Sequence, residues 1–92
     1  MAVTANSEGA GLLLYGEKGE QRATLEVERI ETKLSLGDST GRTRAELSAL
    51  NLGPGLVLYG SEGKPRGIMA VTKERPVIGL YDEKQNAVFS AP

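Results

Sequence analysis

The chain has 92 residues, a net charge of −1 and no Cys, His or Trp. That is room for one small domain, with neither a disulfide framework nor thiolate chemistry. Its 11 basic and 12 acidic residues are dispersed, without the concentrated positive footprint that nucleic acid requires, and no apolar run approaches the ~20 residues of a membrane span.

Residues 1–8 read as the remnant of a preceding unit or a linker, because Ala2-Val3-Thr4 repeats Ala70-Val71-Thr72. Asn6 to Gly11 is composed of loop residues. From there the chain divides into units at about 9–30, 31–52, 53–74 and 75–92 within a single domain, and Leu14, Leu36, Leu58 and Leu80 follow one another at 22-residue intervals.

Each unit alternates apolar and polar residues with period two, the mark of a half-buried strand. Leu12/Leu14, Leu34/Leu36, Leu56/Leu58 and Ile78/Leu80 share one face. Ala23-Leu25-Val27, Ala45-Leu47-Ala49 and Gly67-Met69-Val71 alternate in the second half-units. Between the halves stands Gly19, Gly41 or Gly63, where a two-residue type I′ turn needs positive φ. With Lys18-Gly19 as the loop, Tyr15 pairs with Arg22, Leu14 with Ala23 and Leu12 with Leu25. Between units, Leu25 meets Leu34, Leu47 meets Leu56 and Met69 meets Ile78. Four-residue connections such as Glu28-Arg29-Ile30-Glu31 and Asn51-Leu52-Gly53-Pro54 suit antiparallel neighbours. The expected fold is all-β: an antiparallel meander of four 22-residue hairpin units, about eight strands plus a stub.

In the fourth unit the turn Gly becomes Gln85, the Arg column becomes Val88 and the small inward column becomes Phe89, as terminal units often differ and as a plug would require. A flat single layer exposes its apolar face and two edges. The expectation is therefore closure as a small barrel or by homo-oligomerisation, with a β-solenoid or a trimeric fibre shaft as alternatives.

Motifs for chemistry fail individually. Gly37-Asp38-Ser39-Thr40-Gly41 resembles the nucleophile stretch of trypsin-like proteases, but no His is present to act as base. Gly60-Ser61-Glu62-Gly63-Lys64-Pro65 has Leu58 and Pro65 where a phosphate loop needs Gly and Ser or Thr. Gly9-Ala10-Gly11 and Gly53-Pro54-Gly55 precede strands, unlike dinucleotide fingerprints. Asp38 and Asp82 lie in different turns, and Glu26, Glu28 and Glu31 fit a polar strand face. No catalysis, cofactor or metal is expected. The remaining candidates for partner binding are Tyr15, Tyr59 and Tyr81, at one position of three units, with Arg22, Arg44 and Arg66 in a neighbouring column. They are either cross-strand pairs stiffening each hairpin or a row of contacts for a protein or glycan.

Gly53-Pro54-Gly55-Leu56-Val57-Leu58-Tyr59-Gly60-Ser61-Glu62-Gly63-Lys64-Pro65-Arg66, with Leu80-Tyr81-Asp82-Glu83-Lys84 and the ending Phe89-Ser90-Ala91-Pro92, resembles repeats of uncharacterised bacterial proteins. Those repeats read Leu-Tyr-Asp-Glu-Asn-Gly-Lys-Pro-Arg-Ala. The resemblance implies a repeat architecture and an extracytoplasmic position, and carries no activity. Viral fibre shafts are similar in joining short alternating strands through Gly/Pro turns. The leading expectation is a non-enzymatic structural repeat module that self-associates, and the alternative is a glycan- or protein-binding module.

Overall fold

The structure, a computed structural model, describes residues 1–6, 9–50 and 53–91. Among these it contains nine strands: β1 Ala2–Asn6, β2 Gly9–Tyr15, β3 Gln21–Glu28, β4 Glu31–Gly37, β5 Thr43–Leu50, β6 Gly53–Tyr59, β7 Pro65–Val71, β8 Pro76–Tyr81 and β9 Ala87–Ala91. Each is antiparallel to the next, in one sheet of order β1 to β9. The stub is the five-residue β1, laid against β2. Strand bodies pair in the register that keeps the apolar set on one face. Leu12 meets Leu25, Leu25 meets Leu34, Leu47 meets Leu56 and Met69 meets Ile78. A one-residue slip would turn every leucine over, so the hydrophobic pattern fixes this register.

The hairpin ends differ from expectation. Gly16 N–H donates to the Glu20 carbonyl at 2.8 Å and Gly19 N–H to the Gly16 carbonyl at 3.1 Å. The loop is therefore three residues, a type I turn followed by Gly19 at φ +85, and not the two-residue type I′ turn. An odd loop alone would reverse the faces. A bulge corrects it: Tyr15 pairs with Gln21, Leu14 with Ala23, and Arg22 is the extra residue. The same correction recurs at Arg44, Arg66 and Val88. Tyr15 is thus not opposite Arg22, nor Tyr59 opposite Arg66. The longer loop and the bulge offset each other, so the strand bodies match although the turn does not.

Of the described connections at the opposite ends, the one between β7 and β8 has the expected four residues, Thr72 to Arg75, and the one between β3 and β4 has two, Arg29 and Ile30. β3 ends at Glu28 and β4 begins at Glu31. Asn51 and Leu52 of the second expected connection lie outside the described residues, while Gly53 and Pro54 belong to β6. Ser7 and Glu8 of the expected linker, and Pro92 of the C-terminal ending, also lie outside them; Gly9 to Gly11 belong to β2.

The sheet is open and flat. Eight inter-strand steps of about 4.8 Å span about 38 Å. The molecule measures 38 × 32 × 11 Å. A twist of about 20–25° per step would turn the last strand nearly end over end against the first and thicken the sheet well beyond one layer. β1 and β9 are opposite edges, so the single chain forms neither a barrel nor a solenoid or shaft coil. The reason is register: closure requires strands staggered from ladder to ladder. Here Leu12, Leu25, Leu34, Leu47, Leu56, Met69 and Ile78 run straight across the strands.

One layer cannot enclose a core. Among the described residues no hydrophobic side chain is buried. The accessible surface is 6707 Å², against about 5,100 Å² for a compact monomer of this mass. The radius of gyration is 14.9 Å, where about 12 Å is usual for this length.

Candidate functional site

Two rows built on leucines cross the apolar face, beside a third of Ala10, Val27, Thr32, Ala49 and Pro54. One is continuous in bulk: Val3, Leu12, Leu25, Leu34, Leu47, Leu56, Met69 and Ile78, with Ala91 at its end. The other alternates. Leu14, Ala23, Leu36, Ala45, Leu58, Gly67, Leu80 and Phe89 pair in succession. First strands of each hairpin supply leucine and second strands supply a small residue, except β9 with Phe89, so as far as β8 ridges and hollows alternate with a period of two strands, about 9.6 Å. At Gly67 the hollow deepens to a notch of about 70 Å³, lined by Leu56, Leu58, Met69, Ile78 and Leu80. These side chains are on open display: Leu47 is 51% exposed, Leu58 47% and Phe89 52%.

The Tyr and Arg columns lie at the hairpin ends, and the arginines are already engaged. Arg22 Nε donates to the Gly37 carbonyl at 3.4 Å, Arg44 Nε to the Tyr59 carbonyl at 3.0 Å and Arg66 Nε to the Tyr81 carbonyl at 2.6 Å. Each bulge residue therefore straps its hairpin to the first strand of the next. Each guanidinium also meets a carboxylate of its own turn: Glu20 at 3.8 Å, Asp38 at 3.3 Å and Glu62 at 3.7 Å. Such exposed pairs contribute little, about 0–1 kcal/mol each. Val88 occupies the fourth position of the column, on the edge strand β9.

The tyrosines diverge. Tyr81 lies over Gly79, where a Cβ would come within 2.8 Å of its Oη, and Gly79 is buried beneath it. Burial raises the Tyr59 phenol above its ordinary value, and the neighbouring Glu46 carboxylate adds to the rise. Tyr15 is exposed. The structure thus gives the three tyrosines three environments.

The turns are capped in two ways. At Asp38 and Asp82 the carboxylate does it. Asp38 Oδ1 accepts from Thr40 N at 2.9 Å, Thr40 Oγ1 at 2.6 Å and Arg42 N at 3.2 Å. These bonds, the Thr40 hydroxyl first, lower its pKa to about 2. Asp82 Oδ1 accepts from Lys84 N and Asn86 N, both at 2.9 Å, and its pKa is likewise lowered, first by the Asn86 backbone. Where the position is Gly16 or Gly60, a nearby glutamate fills the space that a side chain would need, Glu20 in one case and Glu62 in the other. In addition, Arg42 Nη1 donates to the Ser61 carbonyl, linking the second and third hairpin ends. Gly37-Asp38-Ser39-Thr40-Gly41 is thus a capped turn.

On the face opposite the leucines, a shallow depression of about 570 Å³ is lined in part by Thr24, Glu26, Lys33, Ser35 and Glu46. Glu26 stands opposite Lys33 in the ladder, and Ser35 opposite Glu46. This is the solvated side of an antiparallel sheet. No group of three or more acidic residues positioned to hold a metal ion occurs among the described residues.

The alternating row was present in the 22-residue columns but could be recognised only once the strands were laid side by side. The arginine acceptors carried no sequence signal, because they are backbone carbonyls. Comparison of the chain with protein-family models and with the curated proteins returns no match.

Proposed function

We propose that this chain is a non-enzymatic structural module, four 22-residue hairpin units that self-associate through the leucine face. Association is then the form of closure that the single chain lacks. The observation that carries this reading is a flat, one-layer sheet with its whole apolar face open and no buried hydrophobic side chain among the described residues. Flat sheets of many strands are unusual and are typically stabilised by stacking. The footprint of the face, from the 38 and 32 Å dimensions, is about 1,200 Å² per copy. Burying it twice removes about 2,400 Å², within the roughly 2,000–5,000 Å² of obligate dimers.

The binding alternative on the Tyr/Arg row has less support. Arg22, Arg44 and Arg66 are already bonded to the adjoining hairpins, and Tyr81 covers Gly79. Sedimentation velocity tests the assembly reading. The chain is expected to sediment as an oligomer at micromolar concentration. A monomer with a full far-UV β signal at every concentration would overturn it.

A further inference from the structure

Resting on that reading, we infer that the leucine face docks against the same face of a second copy with an offset of one strand, so that Leu14 of the second copy enters the notch over Gly67. The offset follows from the alternating row. Consider a two-fold axis parallel to the strands. With β5 over β5, every leucine ridge meets a ridge and every hollow a hollow, which strains the contact or leaves voids. An axis perpendicular to the strands and lying along the alternating row also places each strand over itself, with the same result. Moving the strand-parallel axis to lie between β4 and β5 sets first strands over second strands throughout. Leu36 then lies over Ala45, Leu58 over Ala23 and Leu14 over Gly67, each twice by symmetry.

The opposite offset, with the axis between β5 and β6, would press Phe89 on Leu14. With the axis between β4 and β5, Phe89 overhangs the β1 edge of the second copy, where the alternating row has no residue. Eight of the nine strands still overlap, so most of the footprint is covered. The flatness of the sheet matters here. Twisted sheets pack about 30° apart, which would lose the match of ridge to hollow after a few strands. A sheet 11 Å thick over nine strands keeps it. The notch of about 70 Å³ is several times the roughly 10–15 Å³ that holds one water molecule and has an apolar lining. It suits the branched end of a leucine.

Gly67 gives the test its sign. A Cβ there would stand 3.5 Å from Leu58 Cδ1 and 3.6 Å from Leu80 Cδ2, ordinary contacts. In an isolated sheet the new Cβ fits, the rest of a Gly67→Leu side chain has the open notch to enter, and the change is expected to strengthen the strand, since Gly is a poor strand former. In the offset dimer the same change fills the notch, and the expected result is about tenfold or more weaker association. Sedimentation velocity over a concentration series, with far-UV circular dichroism on each sample, compares wild type, Leu47→Glu, Gly67→Leu and the exchange Leu14→Ala/Gly67→Leu. Leu47→Glu, in the middle of the continuous row, is expected to abolish the oligomer; if it associates like wild type, both the leucine-face reading and the offset fall. If Leu47→Glu dissociates while Gly67→Leu associates like wild type, the offset falls and the leucine-face reading stands. The exchange puts the ridge where the hollow was and is expected to restore association to within about threefold of wild type. Failure to restore it overturns the offset.

Discussion

Gln85 is the one non-glycine residue with positive φ among the described residues, at φ 67 in the turn between β8 and β9. It stands where Gly19, Gly41 and Gly63 stand in the other hairpins, at φ +85, +88 and +88. An L-residue in the left-handed region costs about 1–2 kcal/mol. Gly avoids that cost but gives up about 0.5–1 kcal/mol to its freer unfolded chain. Gln85→Gly should therefore stabilise by about 0.5–1 kcal/mol, a rise of about 2–8 °C in Tm for a domain of this size. Nothing else of note should change: the Gln85 side chain is exposed, and its backbone N–H keeps its 3.0 Å bond to the Asp82 carbonyl. The reverse substitution is the matched control. A Cβ at Gly63 meets nothing within 4 Å, so Gly63→Gln tests conformation without steric conflict and should destabilise by a similar amount. Urea and thermal unfolding at one fixed protomer concentration measure both, which holds constant any contribution of the proposed assembly. A neutral Gln85→Gly together with a neutral Gly63→Gln would refute the assignment of strain to this position.

Two further outcomes follow from the turns and straps. Asp38 has a folded pKa of about 2, below its usual 3.8, so it stabilises above the unfolded pKa and loses that contribution as pH falls through the folded value. The stability gap between wild type and Asp38→Asn, read from urea midpoints, should hold steady above pH 3.8 and close towards pH 2; a gap that is flat across this range would show that the charge contributes nothing. Arg66→Ala should destabilise by about 0.5–1 kcal/mol and lower hydrogen-exchange protection along β8, through loss of the 2.6 Å bond to the Tyr81 carbonyl. Lys at this position should fail to rescue it, for want of the directed Nε donor, and full rescue would mean that only charge matters.

Strand positions and register were legible in the sequence because one face is uniformly apolar. Leu25 against Leu34 and Met69 against Ile78 admit no slip without exposing the opposite set. The turn was not legible, because a two-residue loop and a three-residue loop with a bulge deliver the same strand-body register; only the Gly16 and Glu20 backbone bond separates them. The bulge in turn places Arg22, Arg44 and Arg66 beside the next hairpin instead of across from their own tyrosines. That the single chain does not close as a barrel was not legible for a different reason. Composition raises the expectation that the apolar face is covered. Whether the chain covers its own face depends on stagger between ladders, a quantity that period-two alternation does not encode.

The fixed 22-residue interval has a geometric consequence beyond counting. In a meander with equal hairpins and equal returns, residues one interval apart fall two strands apart in the same row, as Leu36 and Leu58 do through Ala45. No stagger accumulates, so the rows stay straight and the ends never approach one another. The same equality turns any difference between the two strands of one hairpin into a ridge and hollow repeated across the face. A sheet built this way does not complete its own core by curling, and its open surface repeats every two strands, the period that the proposed second copy shares.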